Sequence, residues 1–295
     1  MSQISLSDLN GAAEADFVAA LANVVEYSPW IAEQLADKRP FAGINQLHTA
    51  LMAVIQSADP DVQLALIRAH PDLASKTRRA AGLTAESTNE QNSAGLDRLS
   101  DAEYAAFERV NNAYRAKFGF PYIVCVRRHT RDSVLRDFEV RLRNIAKTET
   151  RRAIEEIGRI SALRLDQLVI ADDELKVHGR LSTHVLDNHI GRPAAGIPVE
   201  LVELSALGEN RIIARAVTNA DGRTDQPLIG GRPLPIGRYE LRFSTAGYYA
   251  ERNVQLTDPP FLDDIPLRFA ISEPEGHYHV PLLVTPWSYS TYRGS

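Results

Sequence analysis

Apolar residues recur at helical spacing from Ser5 to about Leu168 and alternate with a period of two after Val177, so the chain changes class of secondary structure partway along. Phe17, Leu21 and Val24-Val25 fall at i, i+4, i+7 and i+8, and Leu64, Ile67 with the following turn read likewise. Ser100-Asp101-Ala102-Glu103 precedes Tyr104, Phe107 and Val110 and predicts a helix start. The Ser100 hydroxyl can accept from the third helical amide while Glu103 reaches back to the Ser100 amide. Proline disfavours helical geometry at the residue before it, so Pro71 predicts that a helix from Asp61 to Ala69 ends at His70. Further amphipathic helices are expected from Arg131 to Ala146 and from Thr150 to Leu165. The first half therefore reads as all-α.

Beyond Val177 the punctuation is Gly, Pro and Asn-Asp clusters roughly every ten residues with β-branched alternation between them. Leu181, Thr183 and Val185 face one way and Ser182, His184 and Leu186 the other. Asn219-Ala220-Asp221-Gly222, Pro235-Ile236-Gly237 and Asp258-Pro259-Pro260 supply turn geometry. The second half reads as an all-β sandwich. The expected organisation is a helical domain over 1–168, a linker over 169–177 and a β domain over 178–295, with Ala171-Asp172-Asp173-Glu174 carrying neither period strongly.

The 295 residues suffice for two cores, since single cores tend to divide near ~250–300 residues. The net charge is -5, from 33 basic and 38 acidic residues, and Arg127-Arg128 and Arg151-Arg152 are only pairs, which argues against a nucleic-acid partner. The single cysteine, Cys125, rules out an intrachain disulfide and sits in the apolar run Tyr122-Ile123-Val124-Cys125-Val126, where a small buried hydrophobe is expected. No apolar stretch reaches ~18 residues, the start lacks the marks of a secretory signal, and the last residues match no organelle address, so the expected location is cytoplasmic, away from membranes.

Candidate chemistry concentrates in a few places. His70 at a helix C-terminus meets a dipole that favours its protonated form. Ser87, Glu90 and Gln91, on a segment that Thr84 can cap, stand at i, i+3 and i+4 and share a face. Taken alone, these read as a capping histidine and a solvated stripe. In the β half, His277 and His279 flank Tyr278 and project to one side, while His184 and Arg223 stand beside turns. His178, His189 and His277 read most simply as surface imidazoles. A His-x-His pair with a distant histidine is a usable zinc set, but no acidic or thiol fourth ligand stands at obvious spacing, so no metal is expected.

The joint pattern His70-Pro71-Asp72-Leu73, Ser87-Thr88-Asn89-Glu90-Gln91, Lys117-Phe118-Gly119-Phe120-Pro121-Tyr122 and Leu163-Arg164-Leu165 resembles the OHCU decarboxylase family throughout residues 5–168. OHCU is 2-oxo-4-hydroxy-4-carboxy-5-ureidoimidazoline. The resemblance implies catalytic His70 and Glu90 with Arg164 as cationic partner, and a substrate held by Pro71, Ser87, Gln91 and the backbone of Tyr122, Ile123 and Val124. Tyr122 stands where the family often has Phe, which keeps the apolar wall and adds a hydroxyl in need of a partner. Without a cofactor, a β-imino group in the substrate ring can take the electrons released as carbon dioxide leaves. Arg164 can orient a carboxylate bidentately, and His70 paired with Glu90 can move a proton near neutral pH.

Ser182-Thr183-His184-Val185-Leu186-Asp187, Thr218-Asn219-Ala220-Asp221-Gly222-Arg223, His277-Tyr278-His279-Val280-Pro281-Leu282-Leu283 and the final Tyr292-Arg293-Gly294-Ser295 resemble 5-hydroxyisourate hydrolase, the enzymatic branch of the transthyretin family, over residues 178–295. That resemblance implies catalytic His184, Arg223 and His279, with Tyr292, Arg293, Gly294 and Ser295 shaping the site. The histidines would activate water and Arg223 would stabilise the oxyanion or orient the ring. It also implies a homotetramer built through the β domain, with helical domains paired. Together the two halves would turn 5-hydroxyisourate into OHCU and then, stereoselectively, into (S)-allantoin, with small-molecule partners and no cofactor. The alternative is that only one half is active and the transthyretin-like half is a binding module or carrier.

Overall fold

The computed structural model describes residues 3–74 and 85–294. Thr84, expected as a helix cap, and Ser295 lie outside the described residues. The chain divides into two compact units, Met1–Arg127 with Ser133–Val177, and Arg128–Asp132 with His178–Ser295. The N-terminal region is helical and the C-terminal region is rich in β-strand, as the two periods require.

In the first unit the helices Glu14–Leu21, Pro29–Ala36, Ile44–Ser57, Pro60–Ala69, Asp101–Phe118 and Ala146–Leu168 bury their apolar stripes in one core that includes Phe17, Leu47, Phe107, Phe138 and Leu165. The helix before His70 begins at Pro60, one residue earlier than expected, because Asp59 caps it by accepting from the Asp61 amide at 2.9 Å and proline suits a first helical position. The Ser100 capping box is complete, and Gly119 ends that helix in the left-handed region at φ 72°.

Two boundaries differ from expectation. The helix from Arg131 stops at Arg141 rather than Ala146, and the last helix spans Ala146–Leu168 rather than Thr150 to Leu165. The break has a tertiary cause. Glu149, fully buried, accepts from Tyr114 Oη at 2.6 Å, from Arg141 Nε at 2.5 Å and from Asn144 Nδ2 at 2.7 Å, so the chain turns after Arg141 to bring these donors to one carboxylate.

The stretch 169–177, expected to be a linker, is folded into the first unit. Val169–Ile170 pairs in parallel with Ile4–Ser5. Asp173 Oδ1 accepts from the Ile44 amide at 2.7 Å and Oδ2 from the Asn45 amide at 3.1 Å, capping a helix whose own N-cap, Gly43, has no side chain to do so. A Cβ at Gly43 would lie 2.5 Å from Asp173 Oδ1, so the close approach requires glycine. Hydrophobic period alone could not reveal this, because the capping group lies 129 residues from the amide it serves.

The second unit is a sandwich. Asp264–Ile271, Gly237–Ser244, Pro198–Leu204 and Arg211–Val217 form one antiparallel sheet in that order. The facing layer joins Gly179–Ser182 to His277–His279 in parallel and to Ile229–Arg232 antiparallel, then continues as Val185–Asp187 beside Leu282–Thr285. Leu181, Val185, Leu241, Phe243, Leu282 and Val284 close the core between the layers. Ser182, His184 and Leu186 stay half-exposed on the opposite side.

The hydrogen bonds from Asn45 and Ile44 hold the Asp173 carboxyl below its ordinary titration range. A depressed carboxyl contributes stability above its unfolded value, near ~3.9, and loses it as pH falls through the folded value. Asp173→Ala is expected to destabilise the helical unit by ~1 kcal/mol at neutral pH, the usual cost of losing a helix cap. Urea unfolding followed by helical circular dichroism should show that difference shrinking below pH ~4.

Candidate active sites

In the helical unit the proline after His70 ends its helix, and the imidazole folds back so that Nδ1 lies 2.9 Å from the Leu66 carbonyl. A carbonyl only accepts, so Nδ1 carries the proton and Nε2 is left as the acceptor of the neutral ring. The helix dipole had suggested a protonated His70. The structure reverses this, because burial comes first and lowers its basicity, ahead of the Leu66 carbonyl and the Glu26 carboxylate, which raise it, and Arg164, which lowers it.

His70, Pro71, Ser87, Glu90, Gln91, Tyr122, Ile123, Val124 and Arg164, the whole set expected from sequence in this half, line one pocket, with Leu73, Val126 and Ile160 completing its apolar wall. Gln91 Oε1 accepts from the Ala74 amide at 3.2 Å. The Tyr122 hydroxyl finds its partner in Asp137 and its ring stacks on Phe138 at 3.5 Å. Arg141 donates to the Ile123 carbonyl at 2.7 Å, and Glu156, fully buried, accepts from the Cys125 amide at 2.9 Å, so the segment forming this wall is pinned on both sides. Cys125 is buried, as its apolar run required.

Arg164 is 5% exposed, and a guanidinium has five N–H donors, all of which are used here. Nε and Nη2 donate to the two Glu90 oxygens at 2.8 and 3.0 Å. Nη1 donates to Glu26 Oε2 and to the Asn23 carbonyl at 3.0 Å each, and Nη2 also reaches Ser87 Oγ at 3.4 Å. Burial works against its charge, but Glu90 and Glu26 outweigh burial and hold the guanidinium cationic. The sequence had suggested that this fork would orient a substrate carboxylate. Instead the bidentate partner of Arg164 is Glu90, and its other carboxylate is Glu26, which sequence reasoning missed. Ser87 completes the ring by donating to Glu26 Oε1 at 3.0 Å. An acid placed directly after the apolar Val24-Val25 pair was the one available signal.

In the β unit the turn Asn219–Gly222 brings Arg223 beside His184. Gly222 has φ 71°, and a Cβ there would lie 2.3 Å from the Val185 carbonyl oxygen, so the turn needs glycine on both counts. His184 and Arg223 are antiparallel bridge partners, and the Val185 amide donates to the Gly222 carbonyl at 2.8 Å. Among the described residues His184 Nε2 is buried and has no hydrogen-bond partner. Burial first, then the Arg223 charge, lowers the basicity of His184, while the Asp221 backbone opposes them. His279 is likewise lowered by burial, then by Arg223, His184, His277 and Arg180. Two neutral imidazoles and a guanidinium thus gather at one exposed edge.

Gly294 reaches the same place. The Gly294 amide donates to the His279 carbonyl at 2.8 Å, and a Cβ on Gly294 would lie 2.8 Å from His279 Cδ2, so glycine lets the chain lie against the imidazole. Arg293 stacks over the Tyr278 ring at 4.7 Å, and Tyr292 is exposed. Sequence reasoning assigned no role to Ser182, whose hydroxyl lies 3.0 Å from His279 Nδ1. The period of two, which puts Ser182 on the face of His184, was the signal for it. Among the described residues no group of three or more His, Cys, Asp or Glu is placed to hold a metal ion.

Comparison with known proteins fits this geometry. The model of OHCU decarboxylase matches residues 10–166, and that of the HIUase/Transthyretin family matches residues 181–294. A 2-oxo-4-hydroxy-4-carboxy-5-ureidoimidazoline decarboxylase from Halalkalicoccus jeotgali is 39% identical over 59% of this chain and 96% of its own length. A 5-hydroxyisourate hydrolase from Deinococcus radiodurans is 54% identical over 40% of this chain and 98% of its own. A crystal structure of (S)-allantoin synthase is 34% identical, covers 99% of this chain and 100% of its own, and has a TM-score of 0.52. With a complete relative for each half and one solved structure spanning both, the chain belongs to the OHCU decarboxylase family through its helical region and to the HIUase/transthyretin family through its β region.

Proposed function

We propose that this chain is a bifunctional enzyme of urate degradation, which hydrolyses 5-hydroxyisourate in its β unit and decarboxylates the product in its helical unit to give (S)-allantoin. The observation that carries the reading is the coexistence, in one chain, of a cavity lined by His70, Glu90 and Arg164 and a separate edge bearing His184, Arg223 and His279. In the hydrolytic step, the two uncharged imidazoles serve as bases for water and Arg223 faces the negative charge that develops on the attacked carbonyl oxygen. The ring amide opens to a carboxylate.

In the second step, carbon dioxide leaves and its bonding electrons move into the neighbouring ring C=N. His70 exchanges a proton through Nε2, with Nδ1 anchored on Leu66, so delivery comes from one fixed direction and sets the configuration of the product. Arg164 acts first as the organiser of Glu90, Glu26 and Ser87. A substrate carboxylate engages Arg164 only by displacing one of these acceptors. Pro71, Gln91 and the Tyr122–Val124 backbone form the walls that hold the ring. The proposed chemistry uses imidazole, carboxylate and guanidinium groups alone.

Assembly as a homotetramer through the β unit is part of this reading. Ser288–Ser290 is an exposed strand at the margin of its sheet, carrying the exposed Tyr289 and flanked in sequence by the exposed Trp287 and Tyr292, and such an edge invites pairing about a two-fold axis. Among the described residues no helix is long and apolar enough to cross a membrane, and a single buried cysteine suits a reducing cytoplasm.

His70→Ala is expected to lower stereospecific decarboxylation by at least ~100-fold, within the range acid–base catalysis supplies, while 5-hydroxyisourate still disappears at the wild-type rate. Chiral analysis of the allantoin formed checks this, and undiminished production of one enantiomer would refute the role of His70. Light scattering is expected to give a tetramer, and deletion of Tyr292–Ser295 to impair hydrolysis while sparing decarboxylation. A monomer with full hydrolase activity would defeat the assembly.

A further inference from the structure

Gly179–Ser182 runs parallel to His277–His279 with Arg180 opposite His277 and Ser182 opposite His279. Residues two apart on a strand share a face, so Arg180, Ser182, His277 and His279 lie together on the side away from Leu181 and Tyr278, which are buried in the core. On that face Ser182 Oγ stands between two imidazoles, 3.0 Å from Nδ1 of half-buried His279 and 3.4 Å from Nε2 of exposed His277. A hydroxyl donates one hydrogen bond while accepting another, so these three side chains form a continuous path from the site imidazole to water.

The surroundings give such a path a purpose. Arg223, Arg180, His184 and His277 are the groups whose charges bear on His279, and the two guanidinium groups oppose an imidazolium there. A base that must take a proton from water therefore gains if its charge can move elsewhere.

We propose that Ser182 and His277 form a proton relay that links Nδ1 of His279 to solvent and keeps His279 uncharged during hydrolysis. The relay rests on the reading of His279 as a base for water. As Nε2 of His279 takes a proton from water, the Nδ1–H bond breaks and an Oγ–H bond forms on Ser182. The original Ser182 Oγ–H proton passes to Nε2 of His277, and the Nδ1 proton of that ring leaves to water. When Nε2 of His279 next gives its proton to the departing nitrogen, the same passage in reverse returns a proton to Nδ1. No other bond changes, and Ser182 and His277 act through His279 without touching substrate.

The test uses the full chain and freshly generated 5-hydroxyisourate. Ser182→Ala and His277→Gln are each expected to lower kcat by about 10-fold, below the full worth of an acid–base group, with KM held within about twofold. Ser182→Thr, which keeps the hydroxyl, is expected to restore most of the rate. Free imidazole in the buffer is expected to rescue His277→Gln in proportion to its unprotonated form. Wild-type kcat in both Ser182→Ala and His277→Gln would overturn the relay, as would losses that appear in KM or that neither imidazole nor threonine restores. His279→Gln separates the two claims: its inactivity beside normal relay variants would leave the base standing and remove the relay, whereas an active His279→Gln would remove the base itself.

Discussion

A guanidinium taken out of water has to be paired at every N–H, and that requirement on Arg164 organises the helical unit. Its five donors reach the helix Ala85–Ser93 through Glu90 and Ser87 and the turn before Pro29 through Glu26 and the Asn23 carbonyl. Segments far apart in sequence are thereby fixed around one centre, and the cavity is the space left beside it. Leaving any of these charges buried without its partner costs about 3–5 kcal/mol, so the cluster cannot loosen by halves. Glu149 with Arg141, and Glu156 with the Cys125 amide, extend the same rule to the opposite wall.

The β unit reaches a polar site by a different route. Its side chains gather because two parallel strands in register place alternate residues on one face, while the core keeps Leu181, Val185 and Tyr278 on the other. Backbone hydrogen bonds from Gly294 to His279 and from Val185 to Gly222 then bring the tail and the Arg223 turn to that face. The cost of half-burying two imidazoles beside a guanidinium appears in their lowered basicity, which suits the removal of a proton from water.

Much of this was legible in the sequence where the determinants are local. The Ser100 box, the helix stop at Pro71 and the alternation through Leu181–Leu186 each rest on neighbouring residues, and each is found in place. Contacts at long range were not legible. Asp173 caps a helix from the far end of its unit, and Glu149 breaks a helix pattern by collecting donors from three segments. Glu26 escaped notice because an acid after an apolar pair is a weak signal on its own, and the arginine it meets lies 138 residues away. The protonation of His70 was misjudged for a related reason: the dipole is a local property, whereas the burial that outweighs it belongs to the whole fold.

The central claim is that one chain carries two consecutive reactions. Fresh 5-hydroxyisourate mixed with the intact protein, followed at once by absorbance and by circular dichroism, tests this most directly. Accelerated loss of the substrate signal, followed by the rise of optical activity from one allantoin enantiomer, is the predicted result. Racemic allantoin appearing at the uncatalysed rate would contradict the account.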